Sequence, residues 1–308
     1  MAMAKLGVLM MAYGSPESLD DMEAYLSDIR GGRSMSPEFV AEFRGRYAQI
    51  GGKSPLNALT FAQGEATEAE LRLRGVDAKV YVGMRHWIPW IQDVVADMHA
   101  DGVTEAVAIV MAPHYSSMSI GRYWQKVNEA QEAVGSDIHF NFVDSWSRQE
   151  KLLDAQIAKT KAGLAKFDAD DKVKVVFSAH SLPARLKEMG DPYDDELQEN
   201  AKTLAERLGN LDWMFSYQSA AKTGESWLGP QIEDVISELA NAGYENILSV
   251  PIGFVCDHVE VLYDIDINCQ GIAEERGVRL ERVEMMNSDA LFIGAVADAI
   301  EDQVKSKK

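Results

Sequence analysis

A histidine closes one of the apolar runs of this chain, in Val173–Ala179 followed by His180-Ser181-Leu182-Pro183. Imidazole titrates near neutrality and binds borderline metals, so His180 at such a point is a candidate base or metal ligand. The same position suits a histidine bonded to nearby backbone, in a turn that Pro183 restricts. A second candidate is Asp257-His258-Val259-Glu260-Val261-Leu262-Tyr263-Asp264. It reads as the start of a helix, with Glu260 and Asp264 at i and i+4 on one face and Asn268 one turn further. That face is either solvated acidic surface or an oxygen-lined path for a cation, which would relieve the repulsion between like charges four residues apart. A third constellation is basic: Arg30-Gly31-Gly32-Arg33, Arg44-Gly45-Arg46-Tyr47 and Ser54 in Gly51-Gly52-Lys53-Ser54-Pro55. Arginine pairs bidentately with carboxylates, which would suit an acidic ligand; the alternative is pairing with Glu38 or Glu42 on the surface. No G-x-G-x-x-G or Walker pattern occurs, so phosphate cradling has no support.

The elements that must position these residues alternate. Leu6–Tyr13, Ala78–Met84, Ala106–Ala112 and Ile138–Val143 read as strands, then Val173–Ala179, Trp213–Tyr217, Ile247–Pro251 and Val278–Val283. Several are apolar on consecutive residues, as expected of strands covered on both faces. Helical patterns lie between them: Ile88–Ala100 with Ile91, Val94, Val95 and Met98, Ser147–Phe167, Asp194–Leu208, Asp234–Ala242, and a last helix capped by Ser288. Strand–helix four times, twice over, predicts an α/β protein of two Rossmann-like domains, each a parallel sheet of about four strands flanked by helices. The expected domains are 1–150 and 151–308, the junction falling near 147–172, with the last helix crossing back onto the first. In open parallel sheets ligands bind beyond the carboxyl ends of the strands. Tyr13, Arg85-His86, His114, His180, Gln218-Ser219 and Gly253 all lie at such ends.

The 308 residues are 46% hydrophobic and 26% charged, a globular balance, with a formal net charge of −19. This argues against nucleic-acid binding and against adsorption to an anionic membrane. It leaves room for an anionic small ligand, because charges beyond roughly 8 Å are screened at physiological salt. The two cysteines, Cys256 and Cys269, cannot hold a four-cysteine iron–sulfur cluster and are expected to be reduced. The run Leu6–Ala12 fits a buried strand better than a signal peptide, and no stretch approaches the ~20 apolar residues of a membrane span. A cytoplasmic location is expected.

MAYGSP at 11–16, RYAQIGGKSPL at 46–56, APHYS at 112–116, SAHSLP at 178–183, YQS at 217–219, WLGP at 227–230 and PIGFVCDHVEVLYDID at 251–266 together resemble ferrochelatase signatures, in family order over nearly the whole chain. Tyr13 makes the chain similar to the coproporphyrin ferrochelatases of Gram-positive bacteria. The resemblance implies a chelatase-like fold and insertion of Fe(2+), as substrate, into coproporphyrin III; the alternatives are a protoporphyrin IX ferrochelatase, a sirohydrochlorin chelatase, or a porphyrin- or haem-binding protein without turnover. It implies that His180 and Glu260 form the catalytic and metal site, with Asp264 on an outer path. It implies that Tyr13, Arg30, Arg46, Tyr47, Ser54 and Tyr123 hold the porphyrin, Tyr13 as axial ligand to the product iron. No resident cofactor or cluster is implied. The expected partners are the porphyrin and Fe(2+), with transient contact to the next haem-pathway enzyme and the chain acting as a monomer. Three positions depart from the family pattern: Asn268 where glutamate is familiar, Arg85 where lysine is, and Ala220–Gly224, where an arginine commonly follows the Gln-Ser.

Overall fold

The computed structural model describes residues 5–209, 211–221 and 224–305. Eight strands form two parallel sheets of four. The first contains β1 (Leu6–Ala12), β2 (Ala78–Met84), β3 (Glu105–Val110) and β4 (His139–Phe142) in the order β2-β1-β3-β4. The second contains β5 (Val173–His180), β6 (Trp213–Gln218), β7 (Asn246–Val250) and β8 (Arg279–Arg282) in the order β6-β5-β7-β8. All eight expected strands form, within a few residues of the expected ends. The orders are equivalent. In each sheet the chain leaves its first strand to one side and returns on the other, so a topological switch point lies between the first and third strands of each half.

The helices are α1 (Met22–Ile29), α2 (Pro37–Gln49), α3 (Leu56–Leu73), α4 (Ile91–Ala100), α5 (Ile120–Val134), α6 (Glu150–Leu164), α7 (Tyr193–Leu208), α8 (Ile232–Asn241), α9 (Val259–Leu262), α10 (Gln270–Glu275) and α11 (Ala290–Lys305). Simple alternation holds except between β1 and β2, where three helices replace one, and between β7 and β8, where α9 and α10 do. Of the first three, only α3 packs on the sheet. α1 and α2 build their own small core from Met22, Tyr25, Leu26, Val40 and Tyr47, against which Val259 of the second half packs. Ser36 caps α2 by accepting the Phe39 N–H at 3.3 Å, with Pro37 opening the helix.

Both faces of each sheet are covered, as the continuous apolar strands require. On one face of the first sheet, Val8, Met10, Val107 and Ile109 pack with Phe292, Ile293, Val296 and Ile300 of α11. Burying side chains of this size contributes about 1.5–3 kcal/mol each, enough to seat the last helix on the first sheet. The α6 helix serves both halves: Leu152 and Ala155 join that core, while Leu153 joins the core of the second sheet with Phe177, Leu197 and Leu204. Cys256 and Cys269 are buried free thiols. No helix among the described residues is long and apolar enough to cross a membrane.

Candidate active site

The segment after β1 is held from three sides. Gly14 adopts φ +86°, and a Cβ there would come within 3.0 Å of Met84 and Trp87, so the turn needs glycine. Tyr25 donates to the Gly14 carbonyl at 3.1 Å, the Tyr47 and Ser15 hydroxyls lie 3.1 Å apart, and Asn57 bonds both the N–H and the carbonyl of Ser15 at 3.0 and 2.7 Å. These contacts anchor α1, α2 and α3 around Tyr13. Its ring lies 4.5 Å from that of His86, and the Arg85 guanidinium sits 6.0 Å from the Tyr13 ring and 5.3 Å from the Tyr123 ring. Although 39% of Tyr13 remains exposed, the surrounding walls push its phenol up to about 12, with Arg85 opposing and the Glu260 carboxylate adding.

On the other half, His180 ends β5. Its Nδ1 is hydrogen-bonded to the Ser181 carbonyl, which makes Nδ1 the donor and leaves Nε2 facing Glu260. The His180 Nε2 to Glu260 Oε1 separation is 3.5 Å, and the second carboxylate oxygen is 3.5 Å from His258 Nε2. His258 is itself fixed by a 3.0 Å bond between Nδ1 and the Cys256 carbonyl. Gln218, paired in register with His180, donates to the Glu260 backbone carbonyl at 2.6 Å. Burial alone would lower the His180 imidazole; the Glu260 carboxylate overrides it and holds the group at about 9. Burial would raise Glu260; His180 and then His258 pull it well below the usual carboxylate range. The pair is therefore a histidinium–carboxylate ion pair at neutral pH, with each side chain about one-third open to the cleft.

The expected helix through Asp257–Asp264 forms only in part. One α turn, α9, gives way to a π-turn over Asp264–Cys269, in which the Asn268 N–H bonds the Tyr263 carbonyl at 2.8 Å. Such turns concentrate at functional sites. Asp264 accepts a hydrogen bond from Ser219, and burial lifts its carboxyl to about 6, the Glu260 charge adding to the effect. Asn268 does not continue a free acidic face: its amide donates to Glu233 of α8 at 3.3 Å. The departure at Ala220–Gly224 lies partly outside the described residues, at Lys222 and Thr223.

Between the two switch points lies a cleft of about 350 Å³. Tyr13, Tyr47, Ser54, Tyr123, His180 and Glu260 all line it. Arg46 does not; it lies beside the cleft, paired with Glu42 at 2.6 Å, its guanidinium 4.8 Å from the Phe43 ring and 5.4 Å from the Tyr263 ring. Arg30 packs 5.9 Å from the Phe39 ring, and neither it nor Asp264 lines the cleft. Arg85 and His114, expected at strand ends, line the cleft as well, whereas His258, Tyr193 and Trp227 were not singled out from the sequence. His258 had a signal, since it stands two residues before Glu260 in the same motif. Trp227, whose ring centroid is 6.5 Å from that of His180, opens the WLGP run that carries part of the resemblance.

The fold is that of the α/β chelatases. The backbone is similar to that of SirB from Bacillus subtilis with Fe3+, at a TM-score of 0.61 and 11% identity over 98% of this chain and 97% of that one. The chain belongs to the ferrochelatase family, which it matches over residues 5–304, and is thereby a porphyrin metal-inserting lyase of haem biosynthesis. The ferrochelatase of Deinococcus radiodurans is 46% identical over 300 residues, 96% of this chain and 95% of that protein. The coproporphyrin III ferrochelatase of Geobacillus thermodenitrificans is 42% identical over 310 residues, 97% and 96% respectively.

Proposed function

We propose that this chain inserts Fe(II) into coproporphyrin III to give coprohaem, with His180 and Glu260 on one wall of the cleft and Tyr13 on the other. The observation that carries this reading is that one cleft is lined both by the His180–Glu260 pair and by Tyr13, each from the end of the first strand of its half or the turn after the third. The Geobacillus relative's name supports the same ring. We divide the chain near residue 150 into two domains, with α6 between them and α11 returning to the first.

Each iron that enters displaces two pyrrole protons. Glu260 draws the cation; its arrival discharges the histidinium proton to solvent, neutral His180 then accepts one ring proton, and the other leaves to solvent through the open cleft. Neither ligand is soft, so Fe(II) is held weakly enough to be passed on. Tyr13 is a poor base with its phenol near 12, and serves as an oxygen ligand to the product iron. In Tyr13→Phe the absorption spectrum of the bound product shifts; an unchanged spectrum excludes the axial bond.

Coproporphyrin III carries four propionates and protoporphyrin IX two, so selection between them falls to cations around the cleft. Arg46, Arg30 and Arg85 supply these, with the Ser54, Tyr47 and Tyr123 hydroxyls. A charge-assisted hydrogen bond contributes about 1.5–3 kcal/mol. Arg46→Ala is therefore expected to raise the Kd for coproporphyrin III about tenfold or more, 1.4 kcal/mol being a factor of ten, and that for protoporphyrin IX less. Fluorescence titration of both rings checks it, and equal loss for the two removes Arg46 from propionate recognition.

A further inference from the structure

Among the described residues only two non-glycine residues sit at positive φ, Ser219 at 62° and Asn287 at 46°. Both hold residues that flank Glu260: Ser219 bonds Asp264 and Asn287 bonds Asp257. Backbone in this region costs free energy in a residue with a side chain and persists where its surroundings enforce it, often at functional sites.

Asn287 stands in the loop after β8 and grips Asp257 twice. Its Oδ1 accepts the Asp257 N–H at 2.9 Å, and its Nδ2 donates to Asp257 Oδ2 at 2.8 Å. Its own N–H donates to the Val255 carbonyl at 3.0 Å, and its carbonyl accepts from Gln63 of α3 at 2.8 Å. Arg282, at the end of β8, completes the grip. It binds both oxygens of Asp266 at 2.6 and 2.8 Å, and one guanidinium nitrogen lies 3.3 Å from Asp257 Oδ1. Asp257 precedes Glu260 by three residues and Asp266 follows it by six. One arginine thus ties together the two ends of the segment that presents Glu260, while Asn287 ties its start to the first half of the molecule. Neither Arg282 nor Asn287 lines the cleft.

We propose that Asn287 and Arg282 are positioning residues for metal insertion: from behind the cleft they clamp the Asp257–Asp266 segment so that Glu260 meets His180. This rests on the assignment of that pair to the metal. The clamp has a chemical polarity that can be reversed. Asn287→Asp sets a carboxylate against Asp257 and breaks the Nδ2 bond. Adding Asp257→Asn restores it with the roles exchanged, since an aspartate at 287 can still accept the backbone N–H of residue 257 and can accept its new amide as well.

The experiment is steady-state Fe(II) insertion and equilibrium porphyrin binding for Asn287→Asp, Asn287→Gly and the exchanged pair, with His180→Ala alongside. A displacement of the order of 1 Å at a reacting group costs about a hundredfold, so kcat in Asn287→Asp is expected to fall about 30- to 100-fold. Porphyrin Kd stays within about twofold, and the exchanged pair recovers kcat to within about threefold of the parent, which a general loss of stability would not do. Asn287→Gly keeps the left-handed backbone while deleting the amide, and is expected to lose kcat in the same way if Asn287→Asp does not fold. If His180→Ala is inactive while Asn287→Asp or Asn287→Gly turns over like the parent, or if the exchanged pair stays as slow as the single variant, the clamp is wrong. If His180→Ala turns over normally, the metal-pair assignment fails and the clamp with it.

Discussion

His180→Ala is expected to abolish iron insertion, with a loss of about 10²–10⁴-fold, the range spanned by positioned acid–base groups, while coproporphyrin III still binds. The imidazole is fixed by the Ser181 carbonyl on one nitrogen and faces Glu260 with the other. Its charge state gives a second reading of the same role. His180 is held above its ordinary 6.5, so its share of the ion pair's stabilisation is full below that value and is lost as pH rises through about 9. Glu260 is held below its ordinary 4.5, so its share is present above that value and is lost on acidification. Between these limits His180 of the metal-free enzyme carries a proton, which it must lose before it can accept one from the ring. The wild-type rate should therefore climb with pH toward about 9. In Glu260→Gln the carboxylate that holds the imidazole up is gone, and burial then lowers it. The residual rate should level off at lower pH. A His180→Ala enzyme that keeps turnover, or a Glu260→Gln pH profile that does not move, contradicts this account of the pair.

Gly253→Ala is the second large effect, acting through packing. A Cβ at Gly253 would lie 2.4 Å from the Ala179 Cβ and 2.9 Å from its Cα, both rigid parts of β5. The Gly253 N–H also bonds the Ser178 carbonyl at 3.1 Å, so the segment after β7 is pinned against β5 at this residue. Overpacking a tight core costs about 1–3 kcal/mol. Since Ala179 adjoins His180 and the Gly253 segment leads into Glu260, relief of the clash moves the two apart. Activity is expected to fall more steeply than stability. Denaturant unfolding and turnover of the same preparation check this; a variant with unchanged midpoint and full activity shows that the close approach is not required.

Strands were the most legible part of the fold. β1, β3 and β5 are apolar on successive residues because both faces are covered, and that signal survives without any alternation. The helices between β1 and β2 were not legible. α3 presents Thr60, Gln63, Gly64 and Thr67 to its neighbours, so it carries no apolar stripe, and a Cβ at Gly64 would come within 2.8 Å of Val82. α4 begins at Ile91 rather than Ile88, because Ile88 precedes Pro89, whose carbonyl accepts the Met84 N–H at 2.7 Å. In the site, His180 and Glu260 could be paired through the family resemblance although eighty residues separate them; His180 is the last residue of β5 and Glu260 lies in α9, after β7. The π-turn could not be seen. Reading Glu260, Asp264 and Asn268 at uniform four-residue spacing assumed an α-helix throughout, and the wider turn sends Asn268 to Glu233 instead. Asn287 and Arg282 escaped notice because their work depends on backbone geometry and on carboxylates distant in sequence.

The most direct test of the central claim is an anaerobic assay in which the purified chain receives Fe(II) with coproporphyrin III, protoporphyrin IX or sirohydrochlorin, and metallation is followed by absorbance. Coproporphyrin III is expected to be metallated with the highest kcat/KM, and sirohydrochlorin not at all. Equal or faster insertion into protoporphyrin IX, or insertion into neither porphyrin, would contradict it.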